Sequence, residues 1–405
     1  MKPSQNLRMG RVEFIAFCAM LSATTAFSID SMLPGLPEMA RELSPLDPNK
    51  VQLVLTSFVL GMGLGTFIAG PLSDSFGRRT IMLLGAIIYC VAAFVAWRAA
   101  SLEVMLIARM FQGFGAAGPR IVSMAVIRDL YSGRQMARIM SFVMMVFTLV
   151  PAIGPLIGAG LIAISDWRGI FLAFILFAVI TMIWMLLRLP ETLTPENKRS
   201  FKLSTLLEAS KELFSHRSVR ISILCQSTIF ALLFAMLSMV HPIYDVTFDR
   251  AESFPYWFGL ISIIAGSASL LNATIVVRFG MRNVVTVSFA IQIVFSLIML
   301  ALSQNPPSDT VYFTLFMIWQ TSVFFLAGMT IGNLNALAME PVGHIAGIAA
   351  SLLGGIATLL GTCIAIPVGL LFAGTPAPLA AAGAILCFIA TLLMLWLRHC
   401  EKRVD

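Results

Sequence analysis

Charged residues are scarce in this chain. Of its 405 residues, 12% are Asp, Glu, Lys or Arg and 59% are hydrophobic, whereas soluble domains carry about 25% charged residues. This composition excludes a soluble globular protein and predicts a polytopic membrane protein whose surroundings are the lipid bilayer. Basic residues outnumber acidic ones by 27 to 20. We attribute this excess to the orientation of membrane spans and not to binding of nucleic acid.

Residues that bind metals or form disulfides are also few. The six cysteines stand singly in apolar segments or near the C-terminus, without a C-x-x-C spacing. The four histidines fall at predicted helix ends or in loops. No P-loop, H-E-x-x-H or G-x-S-x-G motif occurs. We therefore predict no metal, no cofactor and no enzymatic activity.

Long apolar runs fill most of the chain. A membrane helix needs about 20 consecutive apolar residues, and such windows occur twelve times. The predicted spans are Val12–Leu33, Val51–Pro71, Thr80–Trp97, Leu102–Ile127, Ile139–Ile164, Gly169–Leu187, Ile221–Val240, Tyr256–Val277, Val284–Leu302, Val311–Leu337, Ile345–Phe372 and Leu379–Leu397. The expected fold class is thus an all-α integral membrane protein with twelve transmembrane helices.

The distribution of Lys and Arg predicts how these spans are oriented. With the N-terminus inside, 20 of these residues fall in cytoplasmic stretches and five in outer stretches. Because basic residues are enriched in cytoplasmic loops, both termini are predicted to be cytoplasmic.

One long connection divides the chain into two predicted halves. Residues 189–219 separate an N-terminal half, 1–188, from a C-terminal half, 220–405. The halves resemble each other weakly, because SFGRR at 75–79 matches RFGMR at 278–282, as expected of two pseudo-symmetric six-helix halves. The connection is either an interfacial amphipathic helix or a solvated linker. Its apolar residues at roughly helical spacing are Phe201, Leu203, Leu206, Leu207, Leu213 and Phe214.

The turn between the second and third spans carries a specific motif. Residues 70–79 read GPLSDSFGRR and are predicted to form a tight charged turn, because glycine permits compact backbone conformations. The pattern resembles G-x-L-x-D-x-x-G-R-[RK], the signature loop between helices 2 and 3 of the major facilitator superfamily. An ordinary positive-inside loop is the alternative. The resemblance implies a cytoplasmic conformational latch, with Asp74 paired to Arg78, formed by Gly70, Asp74, Gly77, Arg78, Arg79 and Asp129.

The fourth span holds a second motif. Residues 109–118 read RMFQGFGAAG. The embedded G-x-G-x-x-G is not a nucleotide fingerprint, because no strand precedes it. R-x-x-Q-G instead resembles the second signature of the same superfamily. The resemblance implies that Arg109 faces the central cavity together with Gln112, and that the glycines let neighbouring helices approach.

Arg120 is a second arginine within the same span. It follows Arg109 by eleven residues, which is three helical turns plus about 20°, so both arginines are predicted to share one face. Arg120 is therefore a candidate substrate-binding residue that would favour anionic groups. The alternative is that Arg120 extends to the cytoplasmic rim or bonds the carbonyls freed by Pro119.

The fifth span resembles the motif that marks proton-coupled antiporters in this superfamily. Residues 151–160 read PAIGPLIGAG, and the family pattern is G-x-x-x-G-P-x-x-G-G. The first and last glycines of the pattern are missing, because Pro151 stands one residue inside the first expected position and Gly160 one residue beyond the last, while Gly154, Pro155 and Gly158 remain. Small-residue packing with a helix kink is the alternative reading.

The first span carries an acidic residue near its outer end. Asp30 is followed by LPGLP at 33–37, and the pattern resembles helix 1 of the bicyclomycin- and chloramphenicol-resistance type of drug/proton antiporters. A carboxylate within a membrane is costly and functional by default, so Asp30 is expected to take up and release protons with Arg109 nearby. Both, with Gln112 and Arg120, are candidates to bind substrate. The alternative is that Asp30 caps or pairs at the membrane rim.

The resemblance implies a monomeric transporter of the bacterial inner membrane. It would export small drug-like molecules against protons by alternating access, and thereby confer antibiotic resistance. A transporter of one anionic metabolite, in either direction, is the alternative within the same fold. A membrane receptor, channel or embedded enzyme is the alternative from another class.

Overall fold

The computed structural model describes residues 9–194, 198 and 203–401, and this part of the chain is all-helical. The shorter elements are 3-10 turns at Leu33–Gly35, Pro48–Gln52 and Gly343–Ile345 and a π-helix at Ile243–Thr247. The α-helices are α1 Arg11–Asp30, α2 Leu36–Leu43, α3 Leu53–Phe76, α4 Arg78–Trp97, α5 Leu102–Leu130, α6 Gly133–Ile164, α7 Arg168–Arg188, α8 Leu203–Ser215, α9 Arg217–Pro242, α10 Phe254–Phe279, α11 Met281–Gln304, α12 Asp309–Met339, α13 Ala346–Leu370 and α14 Ala377–Glu401.

Eleven helical segments of the described part are long and apolar enough to cross a membrane. They include every helix of 20 residues or more except α5. α5 has 29 residues, but Arg109, Gln112 and Arg120 lower its hydropathy. The chain is thus a multi-pass membrane protein, and α5 accounts for the difference between these eleven segments and the twelve spans predicted from the sequence.

The turn between α3 and α4 is shorter than predicted. The expected ten-residue turn at 70–79 is wrong, because α3 continues through Pro71 to Phe76 and α4 begins at Arg78. The hydroxyl of Ser75 donates to the Pro71 carbonyl within this last turn of α3. The reversal occurs at Gly77 alone, whose φ of +104° lies in a region that favours glycine.

The described residues fall into two compact units. The first comprises the residues up to Leu46 together with Ser57–Leu206, and its most extensive helix contacts join α4 to α5, α1 to α6 and α4 to α7. The second comprises Asp47–Thr56 and the chain from Leu207, and its main contacts join α11 to α14, α9 to α13 and α10 to α12.

Part of the connection between the predicted halves is the helix α8. Leu213 is fully buried, while Leu207 and Phe214 are exposed. The side chain of Glu212 contacts His344 at 2.7 Å, so α8 is held against the turn before α13. Residues 1–8, 195–197, 199–202 and 402–405 lie outside the described part. They include Phe201 of the predicted amphipathic segment and both termini of the predicted topology.

Candidate functional site

Glycines bring α5 into backbone contact with its neighbours. A Cβ atom on Gly113 would overlap the carbonyl oxygen of Phe58 in α3, and one on Gly115 would lie 2.6 Å from the carbonyl oxygen of Gly85 in α4. The predicted close approach at the α5 glycines is therefore present. It leaves no room for lipid beside the polar residues of α5 on these sides.

A buried polar cluster links α1, α4 and α5. The Arg109 side chain is fully buried, and its guanidinium donates to Gln112 Oε1 at 2.7 Å and to the Ser28 carbonyl at 3.0 Å. The hydroxyl groups of Ser28 and Tyr89 are 2.6 Å apart. The guanidinium also lies 4.4 Å from the centroid of the Phe58 ring. We call Ser28, Tyr89, Arg109 and Gln112 the polar cluster.

Two of these four residues were not singled out by sequence reasoning. Ser28 lies two residues before Asp30, and Tyr89 is one of only five tyrosines in the chain. A tyrosine hydroxyl within an apolar span needs a hydrogen-bond partner, so the position of Tyr89 in the third span was the available signal. It did not reveal which helix supplies that partner.

Asp30 lies at the C-terminal end of α1 and is 3% exposed. Arg109 reaches α1 at the Ser28 carbonyl, two residues before Asp30. Direct pairing of Arg109 with Asp30 stays a prediction.

The glycines of the fifth-span motif pack against the Asp30 end of α1. A Cβ atom on Gly154 would lie 2.9 Å from the Cβ atom of Asp30, and one on Gly158 would overlap the Ser31 carbonyl oxygen. Pro155 lies between them, inside α6. The acidic residue of α1 and the glycine motif of α6 are distant in the sequence, and the fold brings them together.

Arg120 lies on the side of α5 that faces α3. Its guanidinium is 3.6 Å from the Met62 sulfur and 5.6 Å from the centroid of the Phe147 ring of α6. Arg109 contacts Phe58, one helical turn before Met62. The two arginines therefore lie on the same side of α5. Arg120 contacts two apolar side chains, those of Met62 and Phe147.

Arg78 joins the ends of α3, α4 and α5. Its guanidinium pairs with Asp74, donates to Asp129 Oδ2 at 3.0 Å and donates to the Ser73 hydroxyl at 2.7 Å. The Arg78 residue is buried, with 8% of its surface exposed. We call Asp74, Arg78 and Asp129 the charge cluster. Gly70 lies in the last two turns of α3, and Arg79 donates to the Leu186 carbonyl at 2.7 Å.

Comparison with known proteins identifies the family. The family model described as Major Facilitator Superfamily matches residues 14–366. The chain belongs to the major facilitator superfamily. The predicted membership is confirmed, and the family and fold are those of membrane transporters that bind small-molecule substrates.

Relatives within the superfamily carry names of drug-resistance proteins. The chain is 30% identical over 377 residues to the bicyclomycin resistance protein homolog of Haemophilus influenzae, which covers 90% of this chain and 91% of that protein. It is 26% identical over 352 residues to multidrug resistance protein MdtL of Vibrio parahaemolyticus, an alignment that covers 85% of each chain.

The crystal structure of a D-xylose–proton symporter matches with a TM-score of 0.77 at 14% identity, over 95% of this chain and 97% of that chain. That likeness shows the superfamily fold.

Glu191 follows α7 and contacts the turn between α3 and α4. This contact was not predicted from the sequence. Its carboxylate accepts the backbone N–H groups of Arg78 at 2.9 Å and of Arg79 at 3.1 Å. The first turn of a helix has N–H groups without intrahelical acceptors, and it favours negative charge. Thr192 donates to Asp129 Oδ2 at 3.2 Å. The segment after α7 therefore docks on the charge cluster, and the signal for this was the LPET sequence at 189–192.

Replacing Glu191 by Gln is expected to loosen the first turn of α4. Gln keeps the size but loses the charge, and a hydrogen bond to a charged group contributes about 1.5–3 kcal/mol. We expect about tenfold faster hydrogen exchange at the amides of Arg78 and Arg79, measured by mass spectrometry of peptides covering 77–83. Glu208→Gln, on an exposed side chain of α8, is the control. Equal exchange in both variants would contradict the docking role of Glu191.

The second copy of the loop motif has the same turn and different charges. Gly280, between α10 and α11, has a φ of +79°. Arg282 pairs with Glu340 at the end of α12 at 3.3 Å. Val277 stands where the first copy has Asp74, so the second copy lacks that acidic group.

Two acidic residues, one in α1 and one in α2, form hydrogen bonds with the two ends of α7. Glu42, in α2, accepts hydrogen bonds from the Trp167 indole and the Arg168 guanidinium, each at 2.8 Å. Glu13, in α1, accepts hydrogen bonds from the Trp184 indole at 3.1 Å and from Arg188 at 2.8 Å. These contacts were not predicted. They join one end of α7 to α2 and the other end to α1.

Proposed function

We propose that this chain exports small drug-like compounds in exchange for protons, and that it contributes to antibiotic resistance. The observation that carries the proposal is the packing of Asp30 against Gly154 and of the adjacent Ser31 against Gly158. It joins the acidic residue of helix 1 to the antiporter motif, within the unit that also holds the polar cluster. The names of the bicyclomycin- and multidrug-resistance relatives support the substrate class.

In this proposal α5 also crosses the membrane, which brings the number of transmembrane spans to twelve. A charged side chain at the centre of a span costs about 2.5–3.5 kcal/mol on insertion scales. The hydrogen bonds of Arg109 to Gln112 and Ser28 offset part of that cost. The chain then consists of six-helix halves at 1–188 and 220–405, connected by 189–219, with both termini in the cytoplasm and the protein in the inner membrane, as a monomer.

Asp30 is the proposed proton carrier. An uncompensated buried charge is costly, so loss of the Asp30 proton requires either water or an approaching positive group. Arg109 reaches α1 two residues away and can supply that positive charge. We propose that Asp30 takes up a proton from the outer side, and that its release to the inside is coupled to capture of the substrate.

The charge cluster is the proposed conformational latch. Each partly exposed ion pair contributes about 0.2–1 kcal/mol, but Arg78 has two acidic partners and Glu191 adds two backbone hydrogen bonds. Together these interactions can bias an equilibrium between two conformations. In this proposal they close the cytoplasmic side when the cavity opens outward.

The test is uphill transport by the wild-type protein in proteoliposomes. An inside-acidic pH jump is expected to accumulate radiolabelled bicyclomycin above its external concentration, and a protonophore is expected to abolish the excess. A receptor, channel or embedded enzyme would at most equilibrate the drug. If the pH jump drives accumulation of succinate and leaves bicyclomycin at equilibrium, the protein is a metabolite transporter and the drug proposal is wrong.

A transporter of an anionic metabolite is the second candidate, and the arginine pair of α5 favours it. Arg109 and Arg120 lie on the same side of the helix, and two positive groups suit a carboxylate or phosphate ligand.

Replacing Arg120 by Ala is expected to weaken anionic ligands selectively. Removal of one positive group should raise the Kd of succinate about tenfold and change that of bicyclomycin less than twofold, because a hydrogen bond to a charged group contributes about 1.5–3 kcal/mol. Calorimetric titration of the purified protein measures both constants. Arg128→Ala, at the exposed end of the same helix, is the control. Equal losses for both ligands would assign Arg120 a structural role against Met62 and Phe147.

A further inference from the structure

A lateral groove lies between α10, α11 and α12 of the second unit. Its volume is about 620 Å³. Five of the side chains along it are between 44% and 54% exposed, so the groove opens on the outer surface of these helices. These five are Leu271, Phe279, Val287, Ile291 and Ile318. We call this cavity the α10–α12 groove.

Three of the five polar residues along the α10–α12 groove bond to backbone carbonyls of their own helices or turns. Asn283 donates to the Phe279 carbonyl at 2.8 Å, and the hydroxyls of Thr321 and Ser322 each donate to a carbonyl of α12 at 2.7 Å. A fourth, Gln292, is buried and donates to the Ser296 hydroxyl at 3.4 Å. Sites for polar small molecules have several polar groups that converge on the ligand. The groove instead presents an apolar wall, which fits a hydrocarbon chain.

The dimensions of the groove match one leaflet of a bilayer. Along α11 it extends from Asn283 to Phe295, twelve residues or about 18 Å at the helical rise. Half of the hydrocarbon core of a membrane is about 15 Å thick. One lipid acyl chain can therefore lie along the groove from the end of the span to its middle.

A positive group lies at the end of the groove where the spans end. Arg278 is exposed, and its guanidinium is 5.4 Å from the centroid of the Phe279 ring, which lines the groove. An arginine at this level is suited to the phosphate of a lipid headgroup. The apolar wall of the groove, its length and the positive charge of Arg278 together fit one phospholipid molecule.

We propose that the α10–α12 groove binds an anionic phospholipid, with one acyl chain along α11 and its phosphate at Arg278. The site is separate from the polar cluster and the charge cluster of the first unit. Lipid binding there does not depend on which substrate the protein transports or on whether transport is coupled to protons.

Native mass spectrometry of the delipidated protein tests the headgroup contact. Phosphatidylglycerol and phosphatidylcholine with identical acyl chains are titrated separately. Wild type is expected to bind phosphatidylglycerol about fivefold more tightly, the effect of one arginine near an anionic lipid, and Arg278→Gln is expected to bind both lipids equally. Arg138→Gln is the control, because Arg138 also lies over a phenylalanine ring, that of Phe142 at 5.9 Å, but does not line the groove. No preference in wild type, or a preference unchanged in Arg278→Gln, overturns the proposal.

A second variant tests the acyl-chain site. Ser288→Trp places a large ring in the groove and is expected to weaken both lipids at least tenfold. Val294→Trp is the control, because Val294 lies on α11 outside the groove and is 57% exposed. Equal lipid binding by the two tryptophan variants would contradict the site. A mass of two chains without bound lipid would assign the groove to a second copy of the protein and would also overturn the proposal.

Discussion

Replacing Asp30 by Asn is expected to abolish uphill drug export and to leave the protein folded in the membrane. Asn has nearly the same shape as Asp, so the close packing of residue 30 against Gly154 is kept. It cannot take up or release a proton in the relevant pH range. The imposed pH gradient can then no longer drive accumulation of bicyclomycin in proteoliposomes, whereas downhill movement of the drug is expected to continue.

The control for this prediction is Asp47→Asn. Asp47 pairs with Lys50 at 3.4 Å, and its side chain is 48% exposed, so the same chemical change there is expected to leave accumulation within twofold of wild type. Continued uphill accumulation by Asp30→Asn would refute its role as proton carrier. If Asp30 instead caps the end of α1, the thermal stability and the downhill rate should fall together in Asp30→Asn.

The sequence was sufficient for the helical fold and for contacts that are local or lie within one motif. Composition and apolar runs predict the spans, because a helix satisfies its own backbone hydrogen bonds in lipid. Asp74 and Arg78 are four residues apart and lie on either side of Gly77, so their pairing follows from local geometry. The length of the turn did not follow, because α3 continues through Pro71 where a helix in water often ends.

Contacts between distant helices could not be predicted in the same way. Glu191 reaches amides 112 and 113 residues earlier in the chain, and Tyr89 reaches Ser28 across 61 residues. Such contacts depend on the rotation and tilt of each helix, which packing determines. Residue periodicity indicates which side of a helix is polar but not which neighbour faces it. Only the three-dimensional structure therefore shows the partners of Glu191 and Tyr89 and the contacts that Glu13 and Glu42 make with α7.

The proximity of the fifth-span glycines to Asp30 makes a graded prediction possible. A Cβ atom on Gly158 would overlap the backbone oxygen of Ser31, one on Gly154 would lie 2.9 Å from the Asp30 Cβ atom, and nothing lies within 4 Å of one on Gly160. Because a backbone oxygen cannot rotate away, Gly158→Ala must displace the end of α1. Transport is therefore expected to decrease in the order Gly160→Ala, Gly154→Ala, Gly158→Ala.

Gly158→Ala is expected to reduce proton-driven accumulation at least tenfold and to destabilise the protein by about 1–3 kcal/mol, the typical cost of overpacking a core. Gly160→Ala, in the same motif and with open space around it, is expected to match wild type in both measurements. Accumulation at an imposed pH gradient and thermal unfolding of the purified protein report the two effects. A loss of stability in Gly158→Ala with unchanged accumulation would show that the motif serves helix packing and not proton coupling. If Gly160→Ala were as defective as Gly158→Ala, the contact with Ser31 and Asp30 would not be the reason for glycine in this motif.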